Sequence, residues 1–178
     1  MVTQSDNFVA LLRGINVGGA NKVPMADLRA LATGLGWGEV ETYIASGNLM
    51  FRAADPPRTL ANHLRNAMAE QMGVDVPILV LPEKELAHIA ETCPFDGAGN
   101  LIHLFICETI PMPDYTRKDA LIAPDESLLI QDRFVWFHAP SGAGRSKLMR
   151  QMEQVLGVAA TGRNLNTVRK LVQMMDHR

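Results

Sequence analysis

The segment between Arg13 and Lys22 combines residue types that are suited to binding an anion. It reads Arg-Gly-Ile-Asn-Val-Gly-Gly-Ala-Asn-Lys, so that three glycines and two asparagines are enclosed by two basic side chains. Glycine accepts positive φ angles and close backbone approach, and such a loop can turn several N–H groups toward one anion. The alternative is a tight connection between a strand and a helix, in which the glycines serve geometry alone. Within this segment we predict ligand contacts at Arg13, Asn16, Gly18, Gly19, Asn21 and Lys22.

Basic residues near predicted helix starts form a second candidate. Arg145 and Lys147 fall at the start of one predicted helix, and Arg163 follows Thr161, a credible N-cap of another. A cation at the positive end of a helix costs up to about 1 kcal/mol, unless a phosphate or carboxylate lies among the cations. Arg145, Lys147, Thr161 and Arg163 are therefore secondary anion candidates, with solvated surface charge as the alternative.

Three familiar chemistries do not fit the sequence. The glycines at 14, 18 and 19 do not give G-x-G-x-x-G, so we reject a dinucleotide site. Residues 139–146 (APSGAGRS) resemble a phosphate-binding loop, but they lack its first glycine and its lysine and follow a predicted antiparallel hairpin. The five histidines, and Cys93 and Cys107, have no metal-ligand spacing. No metal, cofactor or catalytic residue is predicted.

Hydrophobic periodicity predicts the elements that position the Gly-rich loop. Residues 8–13 indicate a central strand, and a helix follows the loop from about Pro24. Strands at 40–45 and 48–52 are joined through a short Gly-containing connection and form a hairpin. A helix at about 59–72 and a strand at 76–81 complete a βαββαβ order, the ferredoxin-like arrangement.

This order places two segments of the first lobe side by side. Its first and second strands run parallel with the third between them. The loop after strand one and the turn between strands two and three therefore lie at the same end of the sheet. Ser46 and Asn48, in that turn, join the predicted ligand contacts.

The second half of the chain resembles an incomplete repetition of the first. Its predicted strands and helices lie at 83–92, 101–107, 114–122, 127–131, 133–138, 145–156 and 164–175. We predict an α+β fold of two ferredoxin-like lobes packed together, the second incomplete, with domains at residues 1–81 and 82–178. One continuous mixed sheet is the alternative.

Composition narrows the class of partner. A net charge of −2 gives no electrostatic reason to expect a nucleic acid, which makes that partner less favoured than a small anion. No stretch approaches the roughly 20 apolar residues that span a bilayer, so no membrane partner is expected. The polar start MVTQSDN and the two isolated cysteines favour a cytoplasmic location with both thiols reduced. The sequence predicts no oligomeric state.

Two long motifs carry a family resemblance. The runs FVALLRGINVGGANKVPMADLR and TYIASGNLMF, within residues 8–51, resemble the opening of domain-of-unknown-function family 1697. Cys93-Pro94-Phe95 and the run ATGRNLNTVRKL at 160–171 are also similar to family segments. Leu165 departs from the tryptophan expected after the Arg-Asn pair. The resemblance implies a two-lobed ferredoxin-like α+β fold and supplies no activity, cofactor or catalytic residue.

Two functions from different classes follow from these patterns. The first is binding of a small anionic or phosphorylated ligand at the GINVGGANK loop, which leaves enzymatic activity open. The alternative is a nucleic-acid-associated or protein-interaction module that uses the basic helix starts at Arg145, Lys147 and Arg163.

Overall fold

The structure is a computed structural model, and it describes residues 5–177. These residues form two compact units, one of residues 5–88 with 170–177 and the other of residues 89–169. The first unit is therefore discontinuous in sequence.

Within the described residues the chain has eight strands and seven α-helices. The strands are β1 (Asp6–Leu12), β2 (Gly38–Thr42), β3 (Asn48–Ala53), β4 (Ile78–Pro82), β5 (Ile102–Cys107), β6 (Ser127–Gln131), β7 (Phe134–His138) and β8 (Ala160–Asn164). The helices are α1 (Met25–Gly34), α2 (Pro57–Met72), α3 (Glu83–Glu91), α4 (Tyr115–Leu121), α5 (Lys147–Arg150), α6 (Met152–Leu156) and α7 (Leu165–Asp176). The chain passes from one unit to the other at two places. The first boundary, between His88 and Ile89, falls within α3, and the second, between Arg169 and Lys170, falls within α7.

The first unit has a four-stranded antiparallel sheet in the order β2-β3-β1-β4. Residues 8–12 of β1 are buried on both faces, as expected of a central strand. Leu28 and Leu31 of α1 and Leu60 and Leu64 of α2 belong to one core cluster with side chains of the sheet. The sheet and these helices hold the Gly-rich loop between β1 and α1.

Helix ends in this unit follow local sequence rules. Pro57 occupies the first helical position of α2, where its missing N–H leaves no hydrogen bond unmade. Gly73 ends α2 with a φ of 66°, the left-handed conformation that glycine adopts without strain.

The second unit also has a four-stranded antiparallel sheet, in the order β6-β7-β5-β8. The prediction that this half is incomplete is wrong, because β8 supplies a fourth strand that pairs with β5. The prediction that Thr161 is a helix N-cap is also wrong, since Thr161 and Arg163 both lie on β8 and α7 begins only at Leu165. The predicted helix at 145–156 is a single 3-10 turn, Ala143–Arg145, followed by the short helices α5 and α6.

The two sheets are separate, so the alternative of one continuous mixed sheet is wrong for the described residues. The α+β class is confirmed, and both strand orders are consistent with ferredoxin-like lobes. None of the helices within residues 5–177 combines the length and the apolar composition that crossing a membrane requires.

Candidate functional site

The tip of the Gly-rich loop is a tight turn formed by Val17, Gly18, Gly19 and Ala20. The N–H of Ala20 donates to the carbonyl of Val17 at 3.1 Å. Gly18 and Gly19 have φ angles of 59° and 80°, and two consecutive positive φ angles are the mark of a type I′ turn. Both glycines are exposed, and neither backbone N–H has a hydrogen-bond partner within residues 5–177. The turn therefore presents two adjacent donors to solvent.

Asn16 holds the loop in place with three side-chain hydrogen bonds. Its Nδ2 donates to the carbonyls of Val23 at 3.0 Å and Ala45 at 2.8 Å. Its Oδ1 accepts from the N–H of Val23 at 2.8 Å. The bond to Ala45 joins the loop to the segment between β2 and β3, so the predicted juxtaposition of these two segments is confirmed.

Asn21 closes the loop from its other end. Its Nδ2 donates to the carbonyl of Gly14 at 3.0 Å, and its own carbonyl accepts from the N–H of Asn16 at 3.1 Å. Asn16 and Asn21 have φ angles of 55° and 48°, a conformation that asparagine tolerates better than most residues. The amides of both asparagines are thus used to hold the loop.

The neighbouring turn is built around Gly47 and Asn48. The carbonyl of Gly47 accepts from the N–H of Leu12 at 2.8 Å, which ties the turn to the end of β1. Asn48 is fully buried, and its Nδ2 donates to the carbonyl of Tyr43 and to Oγ of Ser46, both at 3.0 Å. The side chains of Asn48 and Ser46 therefore contact each other.

An open depression of about 550 Å³ lies beside the loop. It is lined by Asn16, Gly19, Lys22, Val23, Pro24, Met25 and Ala45. Lys22 also lines a second depression, of about 510 Å³, that extends along α1 past Asp27. Lys22 is exposed, and among residues 5–177 it is the one cation that lines either depression.

The start of α1 faces the first of these depressions through Pro24 and Met25. Pro24 occupies the N-cap position and makes no side-chain cap hydrogen bond. The first helical bond runs from the N–H of Leu28 to the carbonyl of Pro24, at 3.0 Å. The N–H groups before Leu28 thus have no partner inside the helix, and they add the positive end of the helix dipole.

The structure brings together only part of the predicted ligand set. Asn16, Gly19 and Lys22 line the depression, whereas Arg13, Ser46 and Asn48 are not among its lining residues. Arg13 is half-buried, and its backbone N–H donates to the carbonyl of Pro77 at 3.1 Å.

The apolar wall of the depression was missed by sequence reasoning. Val23, Pro24, Met25 and Ala45 form it, and none of them carries a polar side chain that would have pointed to binding.

The secondary anion candidates, all in the second unit, do not line one common depression. Arg145 and Lys147 line a depression of about 300 Å³, but Asp125 and Glu126 line it too. Thr161 and Arg163 are not among its lining residues. Burial lowers the pKa of Arg163 to about 10, and its Nη1 donates to the carbonyl of Gly162 at 2.8 Å. Because two carboxylates line this depression, it is less favourable for an anion than the depression beside the Gly-rich loop.

Burial shifts the pKa values of two further titratable side chains in the second unit. Burial raises the pKa of the Cys107 thiol to about 11 and lowers the pKa of His103. A nucleophilic cysteine requires the opposite shift, because the thiolate is the reactive form. Within residues 5–177 no group of three or more histidine, cysteine, aspartate or glutamate side chains is arranged to hold a metal ion.

Comparison with known proteins decides the family. The model of the family described as "Protein of unknown function (DUF1697)" matches residues 6–136, which is most of the chain. The chain belongs to the DUF1697 family. Its structure is similar to that of the conserved bacterial protein SP0830 from Streptococcus pneumoniae, with a TM-score of 0.73 and 27% sequence identity. That likeness covers 97% of this chain and 99% of the other. A search among curated proteins found no match.

Proposed function

We propose that this DUF1697 protein binds a small anionic or phosphorylated ligand at the loop between β1 and α1, in the first of two ferredoxin-like lobes. One observation carries the proposal. The lining of a single depression combines three sources of positive potential: Lys22, Gly19 of the Gly18–Gly19 turn, and Pro24 and Met25 at the uncapped start of α1.

Each of these groups stabilises an anion by a separate mechanism. A helix start contributes about 0.3–1 kcal/mol toward a negative charge at an exposed position. Consecutive N–H groups of a turn form a concave donor surface of the kind that binds phosphate. Lys22 adds a mobile point charge, whose contribution falls as salt screens it.

The role of Asn16 in this proposal is to position the loop. Its three hydrogen bonds fix the distance between the turn and the start of α1, so that the donors are set before a ligand arrives. Preorganisation of this kind lowers the entropy that binding loses.

The test is a thermal-shift and calorimetric screen with inorganic phosphate, pyrophosphate, sulfate, citrate and phosphorylated metabolites. A ligand at one hundred times its dissociation constant should stabilise the folded chain by about 2.7 kcal/mol. Lys22→Met should weaken the affinity at least tenfold. Lys84→Met is the matched control, because Lys84 is an exposed lysine of the same unit that lines neither depression.

A second pair of variants tests the turn. Gly19→Ala introduces a Cβ at a φ of 80° with nothing within 4 Å of it, so it strains the turn without a clash. Gly73→Ala does the same at a φ of 66° on the far end of α2. Affinity should fall in the first variant and not in the second. The proposal fails if no anion gives a saturable shift, or if Lys22→Met and Lys84→Met behave alike.

A further inference from the structure

We propose that the ligand of this loop is an organic phosphate monoester whose apolar group lies next to the phosphate. This inference rests on the proposed anion-binding function and names the class of ligand. It is carried by the apolar character of the same depression and by two exposed aliphatic residues that adjoin its lining residues in sequence.

The lining of the depression is divided between charge and hydrocarbon. Four of its seven lining residues, Val23, Pro24, Met25 and Ala45, have purely hydrocarbon or thioether side chains. Lys22 and Gly19 supply the positive part. Val23 is already buried by the fold, whereas Pro24 and Ala45 are exposed and Met25 is half-buried. An inorganic anion would contact only the positive part and would leave Pro24, Met25 and Ala45 in water.

Two large aliphatic residues that adjoin lining residues in sequence are exposed. Val17 is 69% exposed and adjoins Asn16 in sequence, and Ile44 is 51% exposed and adjoins Ala45. Single exposed aliphatic residues are ordinary on protein surfaces. Here they come from two different segments that Asn16 ties together, and each adjoins a lining residue of the same depression in sequence.

The backbone at Ile44 supports a role for its side chain. Its φ is 50°, a left-handed conformation that β-branched residues rarely adopt. Glycine or asparagine would occupy this position without strain. An isoleucine here holds an apolar side chain in solvent at a conformational penalty, which is explained if a ligand covers that side chain.

The size of the depression sets the size of the ligand. A volume of about 550 Å³ lies within the range of small-molecule sites, and it exceeds what a phosphate group alone would fill. The site is also open, so the distal part of a longer group would extend into water. A soluble monoester with a short alkyl or aryl group fits both facts.

The experiment is isothermal titration calorimetry of the full chain with inorganic phosphate and with methyl, ethyl, butyl and hexyl phosphate. The matching alcohols serve as neutral ligands. Each added methylene should tighten binding by up to about fourfold until the apolar wall is covered, the factor that corresponds to burying one CH₂ group. Hexyl phosphate should therefore bind at least tenfold tighter than inorganic phosphate, and the alcohols should bind far more weakly than either.

Two variants test whether the dependence of affinity on chain length arises at the apolar wall. Met25→Ser removes an apolar side chain of the wall and should flatten the dependence on chain length, while inorganic phosphate still binds. Val40→Ser is the control, because Val40 is also half-buried against the core of the first unit but does not line the depression. It should lower stability without changing the chain-length series.

The outcomes separate this inference from the proposed function. If inorganic phosphate and hexyl phosphate bind equally, the inference is overturned and the anion site stands. If no phosphate binds, or the alcohols bind as well as the phosphates do, the anion site itself is refuted. Sedimentation of the protein with dialkyl phosphate vesicles, without binding of the soluble esters, would overturn the inference in favour of a lipid headgroup.

Discussion

Replacing Asn16 by alanine should loosen the Gly-rich loop and destabilise the first unit. The substitution removes the side-chain bonds to the carbonyls of Val23 and Ala45 and to the N–H of Val23. It also places alanine at a φ of 55°. Two separable effects therefore act at one position.

Their magnitudes can be worked from the contacts. Three hydrogen bonds at about 1 kcal/mol each give about 3 kcal/mol, and the left-handed conformation adds about 1 kcal/mol. Asn16 is exposed, so water replaces part of the lost bonding. We expect the free energy of unfolding to fall by about 2–3 kcal/mol. Asn16→Gly should be about 1 kcal/mol less harmful than Asn16→Ala, because glycine accepts the positive φ.

Asn16→Asp adds a dependence on pH. The aspartate keeps the acceptor for the N–H of Val23, but its second oxygen faces two carbonyls in place of the amide donor. That contact disfavours the carboxylate, so the folded-state pKa should lie above the unfolded value of about 3.9. The variant should be most stable below that value and lose stability as the pH rises through the folded-state pKa.

The assay is urea denaturation followed by tryptophan fluorescence in a Trp136→Phe background. The chain has two tryptophans, so Trp37 then reports alone, and it stacks on Phe51 in the core of the first unit at 4.0 Å. The reasoning is refuted if Asn16→Ala unfolds within about 0.5 kcal/mol of the parent. It is also refuted if the glycine variant is no more stable than the alanine variant.

Further predictions concern single positions. Gly47→Ala should cost more than about 3 kcal/mol, because its Cβ would lie 2.8 Å from a neighbouring side-chain carbon; Gly73→Ala, with open space around it, should cost about 1 kcal/mol in the same urea assay. Ile44→Asn should raise the thermal midpoint while weakening hexyl phosphate binding, and a fall in the midpoint would contradict the strain argument. Thiol labelling of the native chain near pH 8 should modify Cys93 and spare Cys107, whose pKa of about 11 keeps it protonated; equal labelling rates would contradict this. Migration on a gel should be the same with and without reductant, since both thiols are free.

The first unit is largely predictable because its strands are strong apolar runs. Residues 8–12 of β1 and residues 48–51 of β3 are continuously buried. All of these residues except Asn48 are apolar, which is why the sequence predicts buried strands here. The order of the elements then predicts the topology of the sheet. That topology in turn predicts that the Gly-rich loop and the turn between β2 and β3 lie side by side.

Strand β8 escapes prediction for a physical reason. It is short, at the edge of its sheet, and runs directly into α7, so its pattern merges with that of the helix. Gly162 in its middle argues against a strand by propensity. In the structure a Cβ at this position would lie 2.7 Å from the Phe105 ring, so the glycine permits close packing against the paired strand. A sequence alone does not reveal that contact.

The candidate site is also only partly predictable, because the sequence does not reveal which groups its side chains contact. The sequence indicates a loop rich in donors, but an amide can bind a ligand or a backbone carbonyl, and the choice depends on a few ångströms. Asn16, Asn21 and Asn48 all bind backbone carbonyls. Arg13, which charge alone favours, is not among the residues that line the depression, whereas Lys22 is.

The discontinuity of the first unit has a consequence for how the protein is made. Strands β1 to β4 leave the ribosome early, but residues 170–177, which belong to the same unit, follow only after the whole of residues 89–169. Domains generally fold as units during synthesis, the N-terminal one first. The core cluster of the first unit lies within residues 8–80, so this core and the ligand loop that it holds are expected to fold before the second unit has been translated. Residues 170–177 then join a first unit whose core has already formed.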